Sequence, residues 1–213
     1  MNLQEKFEAA KKAHEMSMDT LERASQAYVE VEPTYAEMKR KLDELEQSKR
    51  AQIDIMGAAK ERLAAAMLTT MGSMSDEVRE ALAARRTADD LVDQFDELVA
   101  IVNKQVPGVH IEISAAASTY LHAYEHAVST WAEKNALGVL VDCGDRLAQA
   151  MSVQTNCRRV VLRELDYLCD NYRNELTPYK DLIPAPQLGA LPLAEILSPA
   201  GISRMKAEIA AAA

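Results

Sequence analysis

Residues 3–45 read LQEKFEAAKKAHEMSMDTLERASQAYVEVEPTYAEMKRKLDEL, and this stretch decides the fold. Apolar or small residues recur in it at alternating intervals of four and three positions, the spacing of side chains along the seam between packed helices. Two seam positions are polar. We predict an all-α protein whose long antiparallel helices form a coiled-coil-like bundle. The seam positions are Leu3, Phe7, Ala10, His14, Ser17, Leu21, Ala24, Tyr28, Val31, Tyr35, Met38, Leu42 and Leu45.

Pro33 interrupts this seam. Because proline inside a helix costs about 3 kcal/mol, we predict a kink or restart there, with helices over about 3–31 and 34–71 that run in the same direction. Beyond Leu45 we expect the seam to shift by one position, as a straight helix drifts against a 3.5-residue repeat. The shifted seam would consist of Ile53, Met56, Lys60, Leu63 and Met67.

Residues 72–75, Gly-Ser-Met-Ser, predict a turn in which Ser73 or Ser75 caps the next helix. That helix should cover about 76–106, fold back against the first and end at Pro107-Gly108. Its predicted seam consists of Val78, Leu82, Val92, Phe95, Val99, Val102 and Val106.

Residues 109–114, VHIEIS, alternate between apolar and polar side chains, which is the strand signal of this chain. A single six-residue strand is not stable alone. The segment is therefore either an extended loop or a strand that pairs with another segment or a second copy.

A last bundle helix is expected over about 115–176, so that the bundle spans 1–176. Gly138 and Gly144 predict a bend or break within it. Val139, Leu140 and Val141 widen its apolar face, which predicts that it is the most buried helix. Its seam is expected at Leu140, Cys143, Leu147, Ala150, Gln154, Cys157, Val161, Leu165, Leu168, Tyr172 and Leu176.

Residues 177–213 hold five of the seven prolines, interleaved with large aliphatic residues. Disordered linkers are usually poor in such residues, so we predict an extended arm that docks in a groove, either on its own bundle or on a partner. A short helix from about Ser203 to Ala212 should close the chain. The expected docking residues are Leu182, Ile183, Leu188, Leu191, Leu193, Ile196 and Leu197.

Composition excludes several classes of protein. The net charge is −9, and basic clusters such as Lys39-Arg40-Lys41 are flanked by acids, so nucleic-acid binding is not expected. No apolar run approaches the ~18 residues of a spanning helix. The N-terminus shows no signal peptide, and the cysteines at 143, 157 and 169 form no CxxC pair. We predict a cytoplasmic protein.

Residues 122–126 spell H-x-x-E-H, the inverted zinc-peptidase motif. His122 and His126 share a helix face and would offer two metal ligands, although the sequence selects no third ligand. The other interpretation is two histidines on a solvated face. Nucleotide-binding, di-iron and serine-hydrolase motifs are absent, so we predict neither enzymatic activity nor a cofactor.

Two further stretches suggest surfaces. An uncharged stretch at the expected hairpin tip, with Met67, Leu68, Met71 and Met74, would touch a membrane, grip a partner or pack under a neighbouring helix. An acidic stripe is either a solvated face or a docking site for a basic partner. Its members are Asp89, Asp93, Asp96 and Glu97.

These features together predict a non-enzymatic assembly protein that associates with itself and with protein partners. Alanine is the most abundant residue and aromatic residues make up only 5%, so narrow helical seams bury little area within one chain. We expect a homo-oligomer within a larger complex, such as a virus-like particle. The alternatives are a membrane-active hairpin and a metal-binding helical protein.

Overall fold

The computed structural model describes residues 2–69, 71, 73–153, 155–175 and 183–212. They form four α-helices: α1 (Leu3–Thr69), α2 (Asp76–Ser152), α3 (Thr155–Glu175) and α4 (Pro199–Ala212). A short 3-10 turn covers Leu193–Glu195. No strand occurs in these ranges. The predicted all-α class is therefore confirmed, and α1 and α2 pack closely against each other.

Side chains cap the first turns of α1, α2 and α4. Asn2 and Glu5 form a reciprocal capping box, in which the Glu5 N–H donates to Asn2 Oδ1 at 2.8 Å and the Asn2 N–H donates to Glu5 Oε2 at 2.9 Å. Ser75 accepts a hydrogen bond from the Val78 N–H at 3.3 Å, so Ser75 is the cap of α2. Ser198 caps α4 by accepting from the Gly201 N–H at 3.1 Å.

The chain divides into two compact units. The first unit contains residues 1–30 and 115–196, and the second contains residues 31–114 and 197–213. Each unit thus holds one part of α1 and one part of α2. The C-terminal arm is divided between the units after Ile196.

Within each unit α1 and α2 run antiparallel. In the first unit, the Phe7 ring lies 3.2 Å from where a Cβ on Gly138 would be, whereas Leu21 packs near Ala123. In the second unit, the Tyr35 ring stacks on His110 with 5.7 Å between centroids, and Leu63 packs with Val78. Within each unit, the residue numbers of the contacts on α2 decrease as those on α1 increase, as predicted for antiparallel helices.

The predicted seam of α1 is confirmed from Phe7 to Leu45, where all its positions are buried or half-buried, whereas its first position, Leu3, is exposed. The predicted shift of this seam is wrong. Ile53, Lys60 and Met67 are exposed, and the original four-three spacing continues instead. Such a strict heptad repeat keeps its face towards the partner when helices supercoil. The continuing positions are Lys49, Gln52, Met56, Ala59, Leu63 and Ala66.

The predicted helix boundaries at Pro33 and Pro107-Gly108 are wrong, because both prolines lie inside uninterrupted helices. Each proline removes one backbone hydrogen bond. The seam side chains on either side of each proline, such as Val31 and Tyr35, stay buried or half-buried only if the helix continues. Their burial outweighs the local cost.

Both interpretations of residues 109–114 are wrong, since the segment is helical and lies within α2. The alternation arises because this part of α2 is buried on more than one face. His110 stacks on Tyr35, while the Leu197 N–H donates a hydrogen bond to Ser114 Oγ at 3.2 Å. Ile113 is fully buried. Two buried faces produce apolar residues at a spacing that imitates a strand.

The predicted break near Gly138 and Gly144 is also wrong, and α2 ends only at Ser152. Gly138 instead allows the close approach of the Phe7 ring. The chain bends at Val153 before α3 begins. The predicted short C-terminal helix is confirmed, although it begins at Pro199 rather than at Ser203.

Candidate interaction surfaces

The turn between α1 and α2 exposes the four apolar residues predicted for the hairpin tip. Leu68 is 82% and Met71 98% exposed, and Met67 and Met74 are also exposed. Met71 adopts a left-handed backbone conformation with φ of 51°, which is strained for a residue with a long side chain. The tip therefore presents large apolar side chains to solvent on a strained backbone.

A groove of about 700 Å³ runs beside this tip, in the second unit. One wall comes from α1 and the other from α2. Its lining consists mostly of small side chains, with Ile55 towards one end and with Arg62, Glu77 and Glu80 as its charged members. The sequence interpretation missed this groove. The sequence feature that could have indicated the groove is the run of alanines in both helices, because their short side chains leave space between α1 and α2. The small residues are Ala58, Ala59, Ala65, Ala66, Ala81 and Ala84.

The C-terminal arm packs on its own chain at two of its predicted docking residues. Ile183 is 2% exposed and contacts a cluster that includes Leu21 and Ala127, and Leu191 is fully buried. Leu188, Ile196 and Leu197 are half-buried, whereas Leu193 is exposed. Leu182 lies outside the described residues. The two most buried anchors of the arm are thus occupied within the chain.

Helix α3 leaves several of its large apolar side chains exposed, so the prediction that the helix over about 115–176 is the most buried is wrong for this part, although Ala117 and Ala127 in its first part are fully buried. Val160, Leu162, Leu165, Tyr167 and Leu168 are all exposed. Val139 and Leu140 in α2 are exposed as well. The helical periodicity correctly identified an amphipathic face. It did not reveal that this face is only partly covered, with Cys157 and Val161 half-buried and Leu165 and Leu168 exposed.

The acidic stripe lies on the exposed face of α2, where all four residues are accessible. Asp96 already has a partner in the same unit, since its carboxylate forms an ion pair with the Lys49 ammonium of α1. The stripe that remains for a basic partner consists of Asp89, Asp93 and Glu97.

His122 and His126 lie on the exposed side of α2 with Glu125 between them. The His122 ring Nδ1 lies 3.6 Å from Glu125 Oε2. Among the described residues, no three histidine, cysteine, aspartate or glutamate side chains are grouped so that they would hold a metal ion. The H-x-x-E-H stretch thus offers ligands from one helix only.

A polar cluster lies inside the seam of the first unit. Ser17 and Thr130 are buried, and their hydroxyl oxygens are 2.6 Å apart. The His14 Nδ1 lies 3.3 Å from Thr130 Oγ1. Burial lowers the pKa of His14 below its ordinary value of 6.5, and the positive charge of Lys134 lowers that pKa further. The cluster favours a neutral imidazole.

Comparisons with protein-family models, with curated proteins and with solved structures give no match for this chain.

Within the described ranges, none of the helices combines the length and the hydropathy that crossing a bilayer requires.

Proposed function

We propose that this protein is a non-enzymatic helical assembly protein that acts by self-association and by docking partner proteins within a larger complex. The observation that supports this function is the apolar surface left open at the tip and along α3. Leu68 and Met71 at the tip and Leu165 and Leu168 on α3 are large apolar residues that are exposed. We infer that they belong to surfaces of association, because large exposed apolar patches mark such sites.

The seam composition supports the same proposal. Along the second unit the buried positions of the hairpin include Ala59, Ala66, Ala81 and Ala88. Alanine permits close approach of helices but removes little apolar area from water, at about 25 cal/mol per Å². A thin hairpin of this type gains stability when another chain covers it. We expect the complex to form in the cytoplasm.

The test is the mass of the intact protein in solution, measured by light scattering after size-exclusion chromatography over a wide range of concentrations. A mass that corresponds to two or more chains and falls on dilution supports the proposal. A single-chain mass at every concentration contradicts self-association.

A second candidate function is that of a membrane-active hairpin, and the nearly complete exposure of Met71 favours it. An apolar tip would insert shallowly into the interfacial region of a bilayer. Flotation with neutral phosphatidylcholine vesicles tests this function. Binding that is lost in the double variant Met67→Asp plus Met71→Asp supports it, and binding that is unchanged in this variant excludes the tip.

A further inference from the structure

The groove between α1 and α2 in the second unit carries opposite charges on its two walls. Arg62 belongs to the α1 wall, and Glu77 and Glu80 belong to the α2 wall. None of these three side chains forms an ion pair or hydrogen bond with a described residue, whereas Asp76 beside them pairs with Arg79 at 3.5 Å. The charges that line the groove are therefore available for a partner.

We propose that a second copy of this chain occupies the groove, so that two α1–α2 hairpins form a four-helix bundle with their tips side by side. This inference rests on the proposed function and names the surface and the partner for self-association. The argument is charge complementarity. A twofold axis along the helices places α1 of one copy against α2 of the other. Arg62 of each copy then faces Glu77 and Glu80 of its partner.

The heights of these residues along the hairpin agree with this arrangement. Leu63 packs with Val78 and Ala81 within one chain, so Arg62 lies at nearly the same level as Glu80. A twofold axis along the helices preserves this level. An axis across the helices would instead place α1 against α1, and Arg62 would lack acidic partners from the facing helix.

The same arrangement covers the apolar surface that one chain leaves open. Ile55 is an exposed aliphatic residue at one end of the groove, and it would be covered by the facing hairpin. The tips of the two copies would bring both sets of Met67, Leu68, Met71 and Met74 together. The small side chains of the groove allow the facing helices to approach closely.

Charge-reversal variants of the full chain test this inference. Arg62→Glu places like charges across the proposed interface, and so does the double variant Glu77→Arg plus Glu80→Arg. Each variant alone should raise the dissociation constant of the dimer by about tenfold or more, since like charges across an interface oppose association. An equimolar mixture of the two variants should restore the native affinity, because each reversed charge then faces the opposite charge on the other variant.

The outcomes separate this inference from the function on which it rests. A native chain that is monomeric at all concentrations overturns both. If the native chain is an oligomer and its dissociation constant is unchanged in both variants, the groove is not the interface, although self-association still holds. If each variant weakens the dimer and the mixture does not restore it, then α1 of one copy does not face α2 of the other. Recovery in the mixture supports it.

Two double variants with uncharged substitutions test the groove even if charge reversal disturbs folding. Ala65→Gln plus Ala84→Gln fills the groove, whereas Ala64→Gln plus Ala83→Gln changes the adjacent exposed residues that do not line it. Circular dichroism should show the same helix content for both. Only the first pair should weaken the oligomer, and equal effects of the two pairs contradict the inference.

Discussion

The hydroxyl oxygens of Ser17 and Thr130 lie 2.6 Å apart in the buried seam between α1 and α2 of the first unit. Ser17 also donates a hydrogen bond to the His14 carbonyl at 2.7 Å. Polar residues at seam positions reduce stability but select one helix register, because a slipped register leaves them buried without partners. This pair therefore favours the observed alignment of α1 and α2 over slipped alignments.

Replacement of this pair should show energetic coupling. Thr130→Val or Ser17→Ala alone should lower the free energy of unfolding by about 1–2 kcal/mol, since each removes one partner of a buried hydrogen bond. The double variant should lose less than the sum of the two single losses. Urea unfolding followed by circular dichroism measures all four proteins, and strictly additive losses would show that the two hydroxyls do not interact.

Stability should decrease as the pH falls through about 6.5. The folded protein holds the pKa of His14 below that ordinary value. The unfolded chain therefore binds the proton more readily, and acidification favours unfolding until His14 is protonated in both states. The contribution is fully present above pH 6.5 and is lost below it.

Thermal unfolding at pH 7.5 and pH 5.5 measures this dependence. His14→Gln removes the titrating group and keeps a polar side chain at the position. The decrease in the melting temperature between the two pH values should be smaller in this variant. An equal decrease in both proteins would assign the pH dependence to groups other than His14.

Pro33 should be a stability cost that the protein tolerates. It lies exposed in the interior of α1 and donates no hydrogen bond to the carbonyl four residues earlier. Pro33→Ala should therefore raise the free energy of unfolding by about 1–2 kcal/mol. Thr34→Ala is the control at the adjacent exposed position, and its effect should be within about 0.5 kcal/mol. A loss of stability in Pro33→Ala would indicate that proline is required there.

Ile183 should hold the beginning of the arm against the first unit. Its side chain is 2% exposed, and Ile183→Asp would bury a carboxylate among Leu21, Ala24 and Ala127. The arm should dissociate, so that limited proteolysis cleaves near residue 183 faster. Leu193→Asp changes a residue that is 67% exposed and should leave the cleavage rate unchanged. Similar rates in both variants would contradict this anchoring role.

The tip shows how far local sequence predicts an exposed surface. Met67 and Leu68 lie at the end of α1, Met71 and Met74 precede α2, and the structure exposes all four as the uncharged stretch predicts. The groove beside them could not be predicted, because its walls depend on which sides of α1 and α2 face each other. Arg62 and Glu80 are separated by the whole turn in the sequence and line one groove only after the hairpin has formed.

In α3, the sequence predicts an apolar face but not whether that face is covered. Its periodicity identifies an apolar face at Cys157, Val161, Leu165 and Leu168. Amphipathicity is a property of the helix alone, so the sequence reveals it. Whether another element covers that face depends on the rest of the fold, and in this chain Leu165 and Leu168 remain exposed.

By itself, the sequence determined the helical class, the antiparallel hairpin and the seam from Phe7 to Leu45, because these follow from the spacing of side chains along a helix. Only the tertiary structure decided that the helices continue through Pro33 and Pro107 and that residues 109–114 are helical. The physical reason is that a partner helix adds burial along the whole seam. The free energy gained by that burial outweighs the local cost of a proline inside a helix and the local strand preference of a six-residue segment.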